Sequence, residues 1–159
     1  MTAPRQRKQC RRVSLSAALC LLPAALFAAE SKVSSDPQSG LAISGFDPVA
    51  YFSDAGPVLG KAGYEHRGDD GATWRFANEG NRAAFAGHPE IYAPRFGGYD
   101  PVAAARGASV AGHPQIWLIS GERLYLFFSV AARDAFAAEP QRFIGAAERN
   151  WPQLIKTIP

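Results

Sequence analysis

Two stretches of the chain are rich in apolar and aromatic residues around a turn sequence, and each stretch predicts a β-hairpin. In the first, residues 62–67 and 73–77 have strand character and flank Gly68-Asp69-Asp70-Gly71, a sequence typical of a tight turn. In the second, residues 115–119 and 123–128 surround Ser120-Gly121-Glu122. We therefore expect two antiparallel two-stranded units.

A segment with helical periodicity follows each predicted hairpin. Asn78 and Ser129 stand where a short polar side chain accepts hydrogen bonds from the free amides of a first helical turn. Phe85 and Phe136 fall on the apolar face of the two segments. Each predicted helix thus places one aromatic ring against its own hairpin.

Two prolines and an apolar C-terminal stretch set the remaining elements. Pro89 and Pro140 are expected to end the two helices, because proline lacks the N–H that a helix interior needs. Residues 150–158 are expected to form a closing helix, with Pro152 in its first turn. The predicted fold class is α+β, with two tandem units of hairpin and short helix and a C-terminal helix.

The chain also repeats itself. Residues 45–50 match residues 98–103 at five of six positions, with an offset of 53. A second block matches at an offset of 51, and it pairs Arg82, Ala84, Phe85, Ala86 and Pro89 with Arg133, Ala135, Phe136, Ala137 and Pro140. We therefore divide the folded part, residues 41–159, into copy one at about 41–96, copy two at about 97–149 and a closing helix at about 150–158.

Charge is distributed unevenly along the chain of 159 residues. Residues 1–29 hold five basic and no acidic side chains, and an apolar run from Val13 to Ala29 follows the basic ones. This layout predicts a secretory signal peptide at 1–29, with an uncleaved anchor as the alternative, and a flexible leader at 30–40. The product would be periplasmic or secreted and, once the signal is cleaved, not integral to the membrane. The remaining chain has 12 basic and 14 acidic residues, which argues against nucleic acid as a partner.

Sulfur is confined to the predicted signal peptide. Cys10, Cys20 and Met1 are the only sulfur-containing residues. The exported product would therefore form no disulfide, carry no thiolate nucleophile and offer no soft ligand to Cu(I), to zinc or to an iron–sulfur cluster.

Motifs along the whole mature chain resemble the YHS-domain proteins, and in particular the exported YHS-domain (seleno)protein group. The similarity begins at residues 43–52, which include Gly45-Phe46-Asp47-Pro48-Val49-Ala50. It continues through Trp74-Arg75-Phe76-Ala77, Asn81-Arg82-Ala83-Ala84-Phe85, Pro89-Glu90-Ile91-Tyr92-Ala93-Pro94, Gly97-Gly98-Tyr99, Trp117 with Gly121, Leu124-Tyr125-Leu126 and Asn150-Trp151-Pro152. The resemblance implies a small metal-binding module, in which two cysteines per unit are the suspected ligands.

This chain departs from the family pattern at every cysteine. Ala50 and Ala103 follow the two Asp-Pro-Val triplets, and Ala77 and Phe128 occupy the later cysteine positions. Asp100 stands where the exported group has cysteine or selenocysteine after Gly-Gly-Tyr. Thiol or selenol chemistry therefore cannot be transferred to this chain, although Asp100 could act as an oxygen ligand or a proton acceptor.

The candidate ligand-binding residues lie near the two Asp-Pro-Val segments, which we expect to meet at a seam between the copies. They are Tyr51, Tyr99, Asp100, Asp47 and Arg95. The two aspartates also have a structural interpretation, because Asp before Pro starts turns and accepts nearby backbone amides. The partner is an unidentified small ligand or a protein.

We name no cofactor and keep a divalent metal ion as an alternative, with His66 and His88 as candidate ligands. The predicted function is an exported binding or accessory module of the YHS type that has lost its cysteine ligands. Two alternatives stay open, namely an enzyme or redox-associated protein of unidentified reaction and a structural adaptor for a protein partner. We name no catalytic residue, because no nucleophile has an evident base.

Overall fold

A computed structural model describes residues 32–54, 56–69 and 71–158, so the predicted signal peptide at 1–29 lies outside the described residues. It confirms the α+β class, with two antiparallel hairpins that are each followed by helices and with a C-terminal helix. The elements of the first unit are α1 (Ala50–Ser53), β1 (Lys61–Arg67), β2 (Thr73–Phe76), α2 (Glu79–Gly87) and α3 (Pro89–Tyr92). Those of the second are α4 (Pro101–Ala105), β3 (His113–Ser120), β4 (Arg123–Phe127), α5 (Val130–Ala138) and α6 (Pro140–Leu154).

Residues pair in the same pattern in the two hairpins. In the first, His66 pairs with Trp74, and in the second Leu118 pairs with Tyr125. Each hairpin has an irregularity in its first strand, between Lys61 and Glu65 and between His113 and Trp117 respectively. The register therefore makes His66 and Leu118 equivalent positions of the two units.

The predicted helix starts are confirmed. The Asn78 side chain accepts a hydrogen bond from Asn81 N at 2.9 Å, and the Ser129 hydroxyl accepts one from Ala132 N at 3.2 Å. Each cap satisfies an amide that the first helical turn leaves free. Phe85 and Phe136 are buried against their hairpins, as the periodicity predicted.

The two prolines begin helices as well as following them. The helices α2 and α5 end at Gly87 and Ala138, and Pro89 and Pro140 then occupy the first turns of α3 and α6. A proline fits there because the missing N–H has no partner in a first turn. The closing helix accordingly starts at Pro140 and not at Asn150, and Pro152 lies close to its C-terminal end.

Strand β4 is buried on both faces and joins the two units. Leu124 and Leu126 lie in the first core with Tyr51, Trp74, Phe76 and Phe85. Tyr125 and Phe127 point the other way into the second core, where they meet Phe136 and Ala147. Alternate side chains of one strand thus belong to two different cores.

The segment predicted as a flexible leader is hydrogen-bonded where the structure describes it. Ser34 N donates to Gly97 O at 2.7 Å, Ile43 N donates to Ser34 O at 2.9 Å, and the Lys32 ammonium donates to Ile158 O at 2.7 Å. Residues 32–36 therefore connect the first unit to the turn that opens the second unit and to the C-terminus. In the part of the chain that the structure describes, no helix is long and apolar enough to cross a membrane.

Gly112 provides a test of how closely the second hairpin approaches the preceding turn. Its N–H donates to Gly98 O at 2.9 Å, and a Cβ at this position would lie 2.6 Å from Leu126 Cβ. We expect Gly112→Ala to lower the free energy of unfolding by about 1–3 kcal/mol, because the buried strand β4 has to move. Denaturant unfolding measures this loss.

The matched control is Gly63→Ala in β1, where a Cβ meets no atom within 4 Å. That variant should be unchanged or more stable by about 0.5–1 kcal/mol, because alanine has less backbone freedom to lose than glycine. Equal stability of the Gly112→Ala protein and the wild type would contradict the close approach.

Candidate functional site

The Asp47 carboxylate is buried and holds two separate backbone segments of the first unit together. Its Oδ1 accepts hydrogen bonds from Val49 N at 2.8 Å and Ala50 N at 3.3 Å, at the start of α1. Its Oδ2 accepts from Ala77 N at 2.8 Å and from Asn81 Nδ2 at 2.7 Å, after β2. Both oxygens are satisfied by donors, so this side chain fixes the position of α1 relative to the hairpin.

Asp100 makes the equivalent arrangement in the second unit. Its Oδ1 accepts from Val102 N at 2.7 Å and Ala103 N at 3.2 Å, and its Oδ2 accepts from Phe128 N at 2.9 Å. The two aspartates thus occupy pseudo-equivalent positions, each joining the start of a short helix to the end of a hairpin. The turn interpretation of both Asp-Pro pairs accounts for these contacts.

Tyr51 links the two units. It is buried in the first core, its ring packs edge-on against Trp117 with centroids 5.4 Å apart, and its hydroxyl donates to Pro114 O at 2.8 Å. Burial, together with the charge of Asp47, raises the pKa of Tyr51 well above its usual range. The hydroxyl therefore stays protonated as a donor and fixes the start of β3 against the first unit.

A cavity of about 260 Å³ opens at the seam between the units. Ser44 and Phe46 contribute its wall from the first unit, and Ala111, Gly112, His113, Pro114 and Phe128 contribute the wall from the second. We refer to these seven residues as the seam cavity. Phe128 is 65% exposed, and Leu59, whose backbone bridges to Phe46, is 63% exposed.

The predicted aspartates and Tyr51 support the walls of the seam cavity rather than line it. Asp47 directly follows Phe46, Asp100 accepts from the Phe128 amide, and Tyr51 donates to the Pro114 carbonyl. Pro114 and Phe128 are therefore each held by a hydrogen bond, and Phe46 is held next to a buried carboxylate. The binding role predicted for these three side chains stays a prediction, and their geometry here is that of positioning residues.

The seam cavity offers two polar side chains, Ser44 and His113. Nδ1 of His113 accepts a hydrogen bond from Gln115 N at 3.2 Å, so the neutral ring carries its proton on Nε2 and donates there. Ser44 has a left-handed backbone with φ of 56°, and Gly97, at the equivalent position, has φ of 59°. The left-handed turn is thus common to both units and is not a peculiarity of the serine.

Tyr99 and Arg95 lie on the side of the second unit that faces α6. The Tyr99 ring packs near Trp151 with centroids 5.8 Å apart, and partial burial raises the pKa of its hydroxyl. Arg95 forms an ion pair with Glu148 at 2.8 Å and lies over the Phe96 ring. The structure therefore does not bring Tyr99 and Arg95 to the seam cavity, which neither of them lines.

The two candidate metal ligands are separate in their surroundings. His66 lines a second cavity in the first unit, whereas His88 is exposed, with Nδ1 3.4 Å from a Glu90 carboxylate oxygen. Among residues 32–158, apart from the two positions left undescribed, no three His, Cys, Asp or Glu side chains gather in a way that could hold a metal ion. A metal ion stays an untested alternative.

None of the seven lining residues of the seam cavity was predicted as a site residue, and the larger or polar side chains among them are Ser44, Phe46, His113 and Phe128. One signal in the sequence pointed to Phe128, since it aligns with Ala77 and places a large ring at the end of a hairpin where the first copy has a methyl group. The sequence gives no such difference in side-chain size to mark Ser44, Phe46 or His113. These residues line a cavity that arises only where one unit packs against the other.

Comparison of the chain with protein-family models, with curated proteins and with solved structures finds no match. The similarity to YHS-domain proteins therefore rests on the quoted motifs.

Substitution of Asp100 tests whether its carboxylate holds α4 to the second hairpin. We expect Asp100→Asn to lower the free energy of unfolding by about 1–3 kcal/mol, because the single oxygen of an amide group cannot accept from both the α4 amides and the partly buried Phe128 N–H. Asp100→Ala should cost about 2–4 kcal/mol, since it also removes the helix cap. Thermal and denaturant unfolding measure both losses.

Asp54→Asn is the control, because Asp54 is exposed and its carboxylate has no hydrogen bond within the described chain. Its stability should match the wild type. If Asp100→Ala unfolds like the control, the carboxylate does not hold α4 to the hairpin.

Proposed function

We propose that this chain is an exported accessory module of the YHS type, whose seam cavity binds an apolar side chain of a protein partner. The observation that carries the proposal is the cavity between the two units, with walls fixed by Asp47, Asp100 and Tyr51 and with the exposed Phe128 ring at its side. Export rests on the sequence of residues 1–29.

The geometry around each aspartate supports the YHS part of the proposal. Ala50 and Ala77 occupy the two cysteine positions of the first unit, and both of their amides donate to Asp47. Ala103 and Phe128 occupy those of the second unit, and both of their amides donate to Asp100. The two positions that carry the suspected cysteine ligands of the family are therefore close to one carboxylate in each unit, although they are far apart in sequence.

The chemistry of the seam cavity favours an apolar group that carries a hydrogen-bond acceptor. Phe46, Pro114 and Phe128 supply apolar surface, and the Nε2–H of His113 and the Ser44 hydroxyl supply donors. A peptide side chain beside its own carbonyl group fits this combination. The exposed Leu59 next to Phe46 extends the apolar surface beyond the cavity, which favours a protein over an isolated small molecule.

The enzyme alternative receives no support from the same cavity. Ser44 and His113 are a hydroxyl and an imidazole in one cavity, but His113 Nδ1 is already an acceptor for Gln115 N and no carboxylate is bonded to the ring among the described residues. A general base needs a nitrogen free to accept, with its tautomer fixed by a third group. The ring as placed donates from Nε2 and cannot take the serine proton there.

Binding at the seam cavity is tested with N-acetyl-phenylalaninamide, a probe with one apolar ring and amide acceptors. Titration followed by nuclear magnetic resonance should shift the amide signals of Gly112, His113 and Phe128. Phe128→Ala should weaken this binding by about fivefold or more, because the probe loses an aromatic contact worth about 1 kcal/mol.

Ile91→Ala is the matched control, because Ile91 is an exposed apolar residue outside the seam cavity. It should leave the affinity unchanged. Absence of shifts at the three seam amides, or equal effects of the two substitutions, would overturn the binding role of the cavity.

The YHS resemblance has its own test, which introduces the missing cysteines. We expect Ala50→Cys combined with Ala77→Cys to bind Cd(II) with at least about tenfold higher affinity than either single variant, because two thiolates then share one ion. Calorimetric titration under reducing conditions measures the difference.

Ala103→Cys combined with Phe128→Cys repeats the test in the second unit, and the matching double serine variants are the controls. If both double cysteine variants fold and bind Cd(II) no better than the single ones, the alignment with the family's cysteine positions is wrong.

A further inference from the structure

The first unit contains a second cavity, of about 380 Å³, on the side of its hairpin that faces α2 and α3. We refer to it as the hairpin cavity. Its walls are formed by Val33, His66, Trp74, Phe85, Ala86, Pro89, Ala93 and Pro94, and Gly68, Asp69 and Gly97 also border it. This cavity is separate from the seam cavity, with which it shares no lining residue.

Comparison of the two copies explains why the first unit has this cavity and why apolar side chains fill the corresponding region of the second unit. In the second unit, Leu118 and Ile144 pack against the core that Phe136 occupies, and Phe143 stacks on Phe136 with centroids 6.4 Å apart. The helix α6 then continues to Leu154, which also packs against the second core. The equivalent region of the second unit is therefore filled by apolar side chains.

Three substitutions between the copies empty the same region of the first unit. His66 stands where the second unit has Leu118, and Ala93 stands where the second unit has Ile144. Tyr92, the equivalent of Phe143, packs on Phe52 with centroids 5.6 Å apart instead of on Phe85. The helix α3 also ends at Tyr92, so no helix continues across the hollow.

Aromatic and polar residues both line the hairpin cavity. Trp74 and Phe85 are buried beneath it, 4.8 Å apart at their ring centroids, and His66 lies edge-on to Phe85 at 5.9 Å. Asp69, which borders the cavity, is exposed, and its carboxylate has no hydrogen bond or ion pair among the described residues. An apolar lining beside an unpaired carboxylate suits an organic cation that has its own apolar body.

We propose that the hairpin cavity binds a small aromatic amine, with its ring on the apolar lining of the cavity and its ammonium group near Asp69. The volume is within the range of small-ligand pockets. His66 also lines the cavity.

Three probes that share an indole ring test this site on the full chain. Tryptamine carries an ammonium group, indole carries no charge and indole-3-acetate carries a carboxylate. Titration followed by nuclear magnetic resonance should shift the amides of Gly68 and Gly97, and tryptamine should bind about tenfold more tightly than indole-3-acetate. The amides of Gly112 and His113 report on the seam cavity in the same spectra, so failure at one site is distinguished from failure at the other.

Two kinds of variant separate the charge contact from the shape of the cavity. Asp69→Asn should weaken tryptamine by about threefold and leave indole unchanged, because an exposed ion pair contributes modestly. His66→Leu and Ala93→Ile place the residues of the second unit into the hollow and should abolish the shifts for all three probes. Glu122→Gln, in the turn of the other hairpin, is the charge control and should change nothing.

The proposal is overturned if tryptamine does not shift Gly68 and Gly97, or if the three probes bind equally. It is also overturned if Asp69→Asn weakens tryptamine no more than Glu122→Gln does. Because His66→Leu and Ala93→Ile fill the cavity from different elements, a folded protein from either one suffices to test whether the hollow is the site.

Discussion

The structure depends on the burial of both faces of β4. A unit of about fifty residues buries only a marginal core, and the first unit completes its core with Leu124 and Leu126, which belong to the second unit. The opposite side chains of the same strand, Tyr125 and Phe127, complete the second core. The two repeats therefore form one cooperative structure, because neither core is complete without this strand.

The two buried aspartates follow from the same arrangement. In each unit the chain enters a short helix, leaves for a hairpin and returns next to the helix start, which leaves backbone amides from both segments without helical or strand partners. Asp47 and Asp100 accept these amides with their two carboxylate oxygens. A carboxylate suits this role because each of its oxygens accepts more than one hydrogen bond. Asp47 and Asp100, which were predicted as ligand-binding residues, thus first of all fix the geometry of the backbone.

Local signals in the sequence were sufficient for the elements of the fold. The hairpin turns, the caps Asn78 and Ser129, and the buried rings Phe85 and Phe136 all depend on residues within one segment, and each prediction was confirmed. The start of the closing helix was wrong because Pro140 was interpreted only as a stop signal, although proline also suits a first turn. The double burial of β4 was not predictable from its apolar run, since such a run does not say which neighbour covers each face.

The cavities were harder to predict because a cavity depends on what neighbouring elements fail to fill. The pseudo-equivalence of Asp47 and Asp100 was predicted from the repeat and confirmed, but Ser44, Phe46 and His113 meet only when the units are in contact. The useful information lay in the differences between the copies.

Where both copies carry the same residue, as at Phe85 and Phe136, the residue serves the fold. Where they differ in size or polarity, one copy presents a cavity or an exposed ring: His66 lines a cavity where Leu118 packs on the second core, and Phe128 is an exposed ring where the first copy has Ala77. The two units thus serve as controls for each other, since both form the same elements with different side chains at equivalent positions. Both proposed binding sites lie at positions where the two versions differ, and the shared backbone argues that these differences are not required for folding.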